Sequence, residues 1–257
     1  MGSIGSFQDS CDLVDNVRRL QRQSLASELS FEFKDDDGFY YSSIDTLLKA
    51  FPYLASLTIN QQYISNQNAP AGAKNTKRLF KIKTLKKLTF NRLNSDRLMQ
   101  FSQVLECDTV TQLTLTNCYI SYEVVNIIRG NRVKKLKIHD CKMDLDESNF
   151  FKLMQNFPNL TELDLALPFR IQSASFPPSL PLLERLSLDN YEAWNEKLIN
   201  QPFLKYLEYR DATLKTAFLR DLVKQKQPGF RLVCKIDDKL QAIQLGKEFP
   251  NIIFTLC

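Results

Sequence analysis

The chain of 257 residues has one histidine, His139, and only seven glycines. A lone imidazole supplies no paired metal ligand, and no Gly-x-x-x-x-Gly-Lys-[Ser/Thr] phosphate loop occurs. Cys107 and Cys234 have no histidine close in sequence to activate them. Asp144, Asp146 and Glu147 cluster, but without further oxygen ligands at loop spacing they read as a turn and an acidic helix N-terminus, not a calcium loop. The expectation is a protein that is not an enzyme and carries no cofactor and no metal.

Other absences bound the setting. The six cysteines form no Cys-x-x-Cys pair. With two of them at core positions of the pattern described below, reduced thiols in a cytoplasmic or nuclear protein are expected over a disulfide framework. No apolar run approaches the roughly 18–20 residues of a membrane span. Residues 1–15 lack the basic segment and apolar stretch of a secretory signal. Residues 1–11 are small and polar and are expected to be disordered. Met1-Gly2-Ser3-Ile4-Gly5-Ser6 also fits the short N-myristoylation pattern, which chance often satisfies.

The net charge of +5 is concentrated. Lys74, Lys77, Arg78, Lys81, Lys83, Lys86, Lys87 and Arg92 lie in one stretch without an acid. This stretch reads first as a solvated loop and strand face. The alternative is a nuclear-import or nucleic-acid patch, weakened because no aromatic ladder accompanies the charges.

What is present is a repeat. Val110-Thr-Gln-Leu113-Thr-Leu115-Thr-Asn-Cys118-Tyr-Ile120 returns position for position as Val133-Lys-Lys-Leu136-Lys-Ile138-His-Asp-Cys141-Lys-Met143. The same spacing starts at Leu54, Leu85, Leu160, Leu183 and Leu204, with neighbouring starts 21 to 31 residues apart. The fourth and sixth positions are apolar or aromatic each time, from Leu57/Ile59 to Leu207/Tyr209. Leu29, Phe31 and Phe33 alternate as a divergent first strand, and 230–236 and 252–256 form divergent last ones.

Helices are predicted between strands. Ser95, Ser121 and Thr213 are candidate N-caps for 96–105, 122–128 and 214–225, and Gly130 is a candidate left-handed stop. Further helices are expected over 12–24, 44–51, 149–156 and 239–248. Phe51-Pro52, Phe157-Pro158 and Phe249-Pro250 each end a helix ahead of a strand, with the phenylalanine plugging the core. Pro178-Ser-Leu-Pro181, within the irregular stretch 168–181, is read as a loop that needs no helix.

The consensus L-x-x-L-x-L-x-x-C-x-L is that of a leucine-rich repeat. Through Cys118, Cys141 and Phe157-Pro-Asn-Leu-Thr-Glu-Leu-Asp-Leu165, residues 25–257 resemble the ribonuclease-inhibitor-like repeats. The nearest resemblance is to the Cys-containing type of F-box ligase adaptors. It implies an α/β solenoid, a horseshoe with a curved parallel sheet on the concave face and helices or irregular segments on the convex face. Residues 12–257 form one such domain. In that family the repeats recognise a substrate while an F-box docks on the ligase core; residues 1–28 do not spell the family's Leu-Pro-containing F-box.

Strand alternation sends positions three, five and seven onto the face opposite the core. The rows are Lys87-Thr89-Asn91, Gln112-Thr114-Thr116, Lys135-Lys137-His139, Glu162-Asp164-Ala166, Arg185-Ser187-Asp189 and Tyr206-Glu208-Arg210. The candidate partner-binding residues are Lys87, Lys135, Lys137, His139, Glu162, Asp164, Arg185, Asp189, Tyr206, Glu208 and Arg210. The expected function is non-catalytic protein–protein interaction on this face, with a ubiquitin-ligase core as a second partner if the chain is a substrate-recognition adaptor. The alternative is nucleic-acid association through residues 74–92.

Overall fold

Apolar residues at every second position, each segment bounded by a turn, fold as strands with one buried face. The computed structural model describes residues 27–33, 51, 53–61, 84–104, 109–144, 147–166, 180–189, 201–213, 220–222, 224, 226–235, 239–250 and 253–256. The strands are β1 (Glu28–Phe33), β2 (Ser56–Gln61), β3 (Lys87–Asn91), β4 (Gln112–Thr116), β5 (Tyr119–Ile120), β6 (Lys135–His139), β7 (Lys142–Met143), β8 (Glu162–Ala166), β9 (Arg185–Leu188), β10 (Tyr206–Thr213), β11 (Arg231–Lys235) and β12 (Ile253–Leu256). The helices are α1 (Ser95–Val104), α2 (Tyr122–Ile127), α3 (Glu147–Gln155) and α4 (Lys239–Glu248). Residues 220–222 and 224 are also helical.

The fold is α/β. Ten strands form one open, parallel sheet in the order β1-β2-β3-β4-β6-β8-β9-β10-β11-β12, while β5 and β7 pair separately, also in parallel. Each strand lies beside its predecessor in the chain, so the sheet grows by addition at one edge. The joints repeat as well. The carbonyl of Lys86 accepts the N–H groups of Thr111 and Gln112; those of Thr111, Lys134, Thr161 and Glu184 do the same for the start of the following strand.

The core lies on one side of the sheet. Leu57, Ile59, Leu88, Phe90, Leu113, Leu115, Leu136, Ile138, Leu163, Leu165, Leu186, Leu188, Leu207 and Tyr209 are all buried, as period two predicts. Against them pack Leu98 and Phe101 of α1, Val124 and Val125 of α2, and Phe150, Leu153 and Met154 of α3. The rings of Phe90 and Phe101 are 6.1 Å apart, tying β3 to α1. Each such buried side chain contributes about 1.5–3 kcal/mol by leaving water. Phe51 and Phe157 are buried and Phe249 packs against the cluster, so the three phenylalanines do plug the core.

Just past β3, β4 and β6, Arg92, Asn117 and Asp140 adopt φ values of 61°, 53° and 52°. This left-handed step swings the next residues, Leu93, Cys118 and Cys141, into the core, where each is buried. The amide of each left-handed residue donates across to the next strand, to Thr116, His139 and Ala166 respectively.

Several local expectations are corrected. Gly130 has no positive φ; among described glycines only Gly229 does, at 84°. Gly130 is a close-approach glycine, because a Cβ there would collide with Val133 Cγ2. Asn94, not Ser95, caps α1: its Oδ1 accepts the Arg97 N–H at 2.9 Å, while the Ser95 hydroxyl donates to Ser121. Ser121 occupies the N-cap of α2, yet its hydroxyl donates to the Glu123 carboxylate and accepts from no backbone amide of the helix. Thr213 is the last residue of β10. The helix expected over 12–24, all but Phe51 of that expected over 44–51, all but the last two residues of the irregular stretch 168–181, and the N-terminal residues 1–11 with Gly2 fall outside the described residues.

Candidate polar-face binding site

The cross-strand register places the expected rows side by side. The first row runs Ser56, Lys87, Gln112, Lys135, Glu162, Arg185, Tyr206, Arg231 across β2 to β11. The second runs Thr58, Thr89, Thr114, Lys137, Asp164, Ser187, Glu208, Val233. The third brings Asn60, Asn91, Thr116, His139 and Ala166 together. Nine of the eleven expected site residues lie in these rows, and Arg210 and Asp189 join them through ion pairs of Arg210 with Asp164 and Asp189. Ala166 and Val233 are the exceptions among the row positions: both are buried.

From β6 to β10, most of the charged residues of the face neutralise one another. Lys135 Nζ lies 2.9 Å from Glu162 Oε2, one strand across. Asp164 is a hub: it accepts from Arg210, meets His139 Nε2 at 2.8 Å and faces Lys137 Nζ at 3.9 Å. Arg210 also reaches Asp189, Nε to Oδ1, at 2.6 Å. Glu208 accepts from the Ser187 and Tyr206 hydroxyls at 3.0 and 3.2 Å. The expected succession of a basic, then an acidic, then a mixed surface is thus an interlocked set of opposite charges. Sequence distance concealed this, since each pair of opposite charges joins residues 21 or more positions apart.

Burial and the Glu208 carboxylate raise the Tyr206 hydroxyl above its ordinary pKa, partly offset by Arg185 and Arg231. Between Gln112, Thr114, Lys135, Lys137, Glu162, Asp164, Arg185 and Ser187 the face has a depression of about 320 Å³. Its mixed donors and acceptors suit hydrogen bonding to a polar ligand.

The face also contains residues that the sequence reading left out. Ser56, Thr58 and Asn60 belong to a repeat already aligned at Leu54, so strand period alone locates them. Arg231 sits on β11, where the consensus has faded, and only the Tyr206–Arg231 register reveals it. Of the basic stretch, Lys86, Lys87 and Arg92 are described and exposed; Lys74–Lys83 lie outside the described residues.

Cys118, Cys141 and Cys234 are free and buried. The Cys118 thiol lies 3.4 Å from the Phe90 carbonyl, and that of Cys141 lies 3.3 Å from the His139 carbonyl, so both serve as weak backbone donors. Contact with Cys141 holds Cys118 below the usual thiol range; contact with Cys118, together with burial, holds Cys141 above it. Among the described residues, no three His, Cys, Asp or Glu side chains gather into a metal site, and no helix is long and apolar enough to cross a membrane. No protein-family model matches the chain, and no curated protein matches it significantly.

Proposed function

We propose that the chain is a leucine-rich-repeat solenoid that binds a protein partner, without catalysis, on the polar face of its sheet. The repeat reading draws support from the sequential parallel strands, the recurring joint hydrogen bonds and the inward Leu93, Cys118 and Cys141. The observation that carries the functional reading is the depression among Lys135, Lys137, Glu162 and Asp164, where half-exposed side chains from adjacent strands stand in rows. A groove that presents donors and acceptors at strand spacing matches a folded or extended polypeptide better than a small apolar ligand.

The resemblance to F-box adaptor repeats extends the proposal to substrate recognition for a ubiquitin ligase. Buried free cysteines suit a reducing cytoplasmic or nuclear setting. A nucleic-acid role has less support, because Lys135 and Lys137 face Glu162 and Asp164 and have little charge left to offer phosphates.

The test is affinity purification of the tagged chain beside a variant with Lys135, Lys137, Glu162 and Asp164 changed to Ala. A protein recovered with the parent and lost with the variant is the expected result. Ligase-core subunits recovered with both would support the adaptor role. Identical partners for both would rule out the polar face as the contact.

A further inference from the structure

The first row of the polar face reads Arg185, Tyr206, Arg231 on β9, β10 and β11. The guanidinium of Arg185 lies 4.2 Å from the Tyr206 ring centroid and that of Arg231 lies 5.8 Å from it, each approaching from a neighbouring strand. Both arginines are exposed, and neither has a carboxylate partner among the described residues. They differ in this from Lys135, Lys137 and Arg210, which are paired within the face. A guanidinium resting on an aromatic ring is held in orientation, and its N–H edge stays available for bidentate contact with a carboxylate.

We propose that Arg185, Tyr206 and Arg231 form a clamp for a carboxylate-rich segment of a partner protein. The clamp rests on the reading of this face as a protein-binding surface and names the chemistry of its partner. Strands two apart in a sheet are separated by about 10 Å, so the clamp suits acidic residues two or three apart in an extended chain, about 7–10 Å.

Two observations favour a peptide over a nucleic acid. Leu182 and Phe203, each three residues ahead of its row position, are 44% and 57% exposed on neighbouring turns, so apolar side chains of a peptide find a footing beside the clamp. Glu208 stands next to the clamp, accepting from the Tyr206 hydroxyl, so a continuous phosphate backbone meets repulsion on leaving it. A discrete acidic side chain does not.

The experiment is fluorescence anisotropy with a labelled glutamate-rich peptide carrying isolated leucines, beside the same peptide with Gln for Glu and a labelled oligothymidylate. The full chain is compared with R185A/R231A and with K142A/K152A. The second variant removes the same charge from two exposed lysines that rest on Tyr119 and Tyr122, away from this face. The glutamate peptide is expected to bind the parent and K142A/K152A alike and to weaken at least about tenfold on R185A/R231A, one charge-assisted contact's worth or more. R185K/R231K, which keeps charge but not the planar fork, is expected to restore binding only in part.

No binding of the glutamate peptide to the parent at low salt overturns the clamp. So does an equal loss in both alanine variants, or tighter binding of oligothymidylate with the same arginine dependence. Loss of the clamp leaves the broader proposal standing if a partner still depends on Lys135, Lys137, Glu162 and Asp164 in the purification. A working clamp with no such partner leaves only the narrower inference.

Discussion

From β1 to β3 the polar face is tied by neutral groups: Asn91 donates to the Asn60 side-chain oxygen at 3.0 Å, and Asn60 donates to the Ser30 hydroxyl at 3.2 Å. From β6 to β10 the same positions hold Lys135–Glu162 and the Asp164 hub with Lys137, His139 and Arg210. The backbone ladder is the same in both regions, and only the side chains differ. Backbone pairing therefore does not require charge on this face. Opposite charges on adjacent strands stabilise the sheet modestly, and what they add is a surface with direction and salt sensitivity.

The largest test of this contrast is Asp164→Ala, which leaves Arg210, His139 and Lys137 without their shared acceptor. It is expected to cost about 2 kcal/mol in urea unfolding, with the loss shrinking in high salt. Asn60→Ala, in the neutral region, is expected to cost about 1 kcal/mol, unchanged by salt. Equal salt dependence for the two would erase the distinction.

Lys226 sharpens the comparison from outside the face, because burial shifts its ammonium. Its ammonium, 5.4 Å from the Phe230 ring, is pushed down to about 8 by desolvation. Between that value and the ordinary lysine range the unfolded chain binds more protons, so stability rises with pH across that window. Lys226→Met is expected to stabilise the fold at pH 7 by on the order of 1 kcal/mol given the partial solvent screening, read as a higher melting temperature. The gain should fade as pH climbs above about 8; a gain constant to pH 10 would assign it to packing instead.

Arg92→Asn, at the left-handed step beside the neutral region, is expected to stabilise by about 0.5–1 kcal/mol, since asparagine tolerates that conformation better. Its check is the unfolding midpoint beside Asn117→Arg, which should lose a similar amount. The smallest effect is the Lys135–Glu162 coupling, about 0.2–1 kcal/mol in a double-mutant cycle at low salt.

Most of the face was legible because strand period needs only neighbours one and two residues away. Lys87, Lys135, Glu162, Arg185 and Tyr206 fall in one row, as the alignment of the leucines requires. Gly130 was misread because a glycine after a helix serves either a left-handed stop or a close contact, and the deciding atom belongs to Val133. Ser95 and Asn94 are both good caps, and backbone geometry chose between them.

By itself the sequence determined which residues are buried and which rows face away from the core, since both follow from local alternation and a recurring spacing. Only the tertiary structure decided which charges cancel and which stay free. Asp164 finds Arg210 from 46 residues away, while Arg185 and Arg231 are left with the ring of Tyr206 between them. Such partners depend on which side chains neighbouring strands set within reach of one another, a distance in space that no spacing along the chain records.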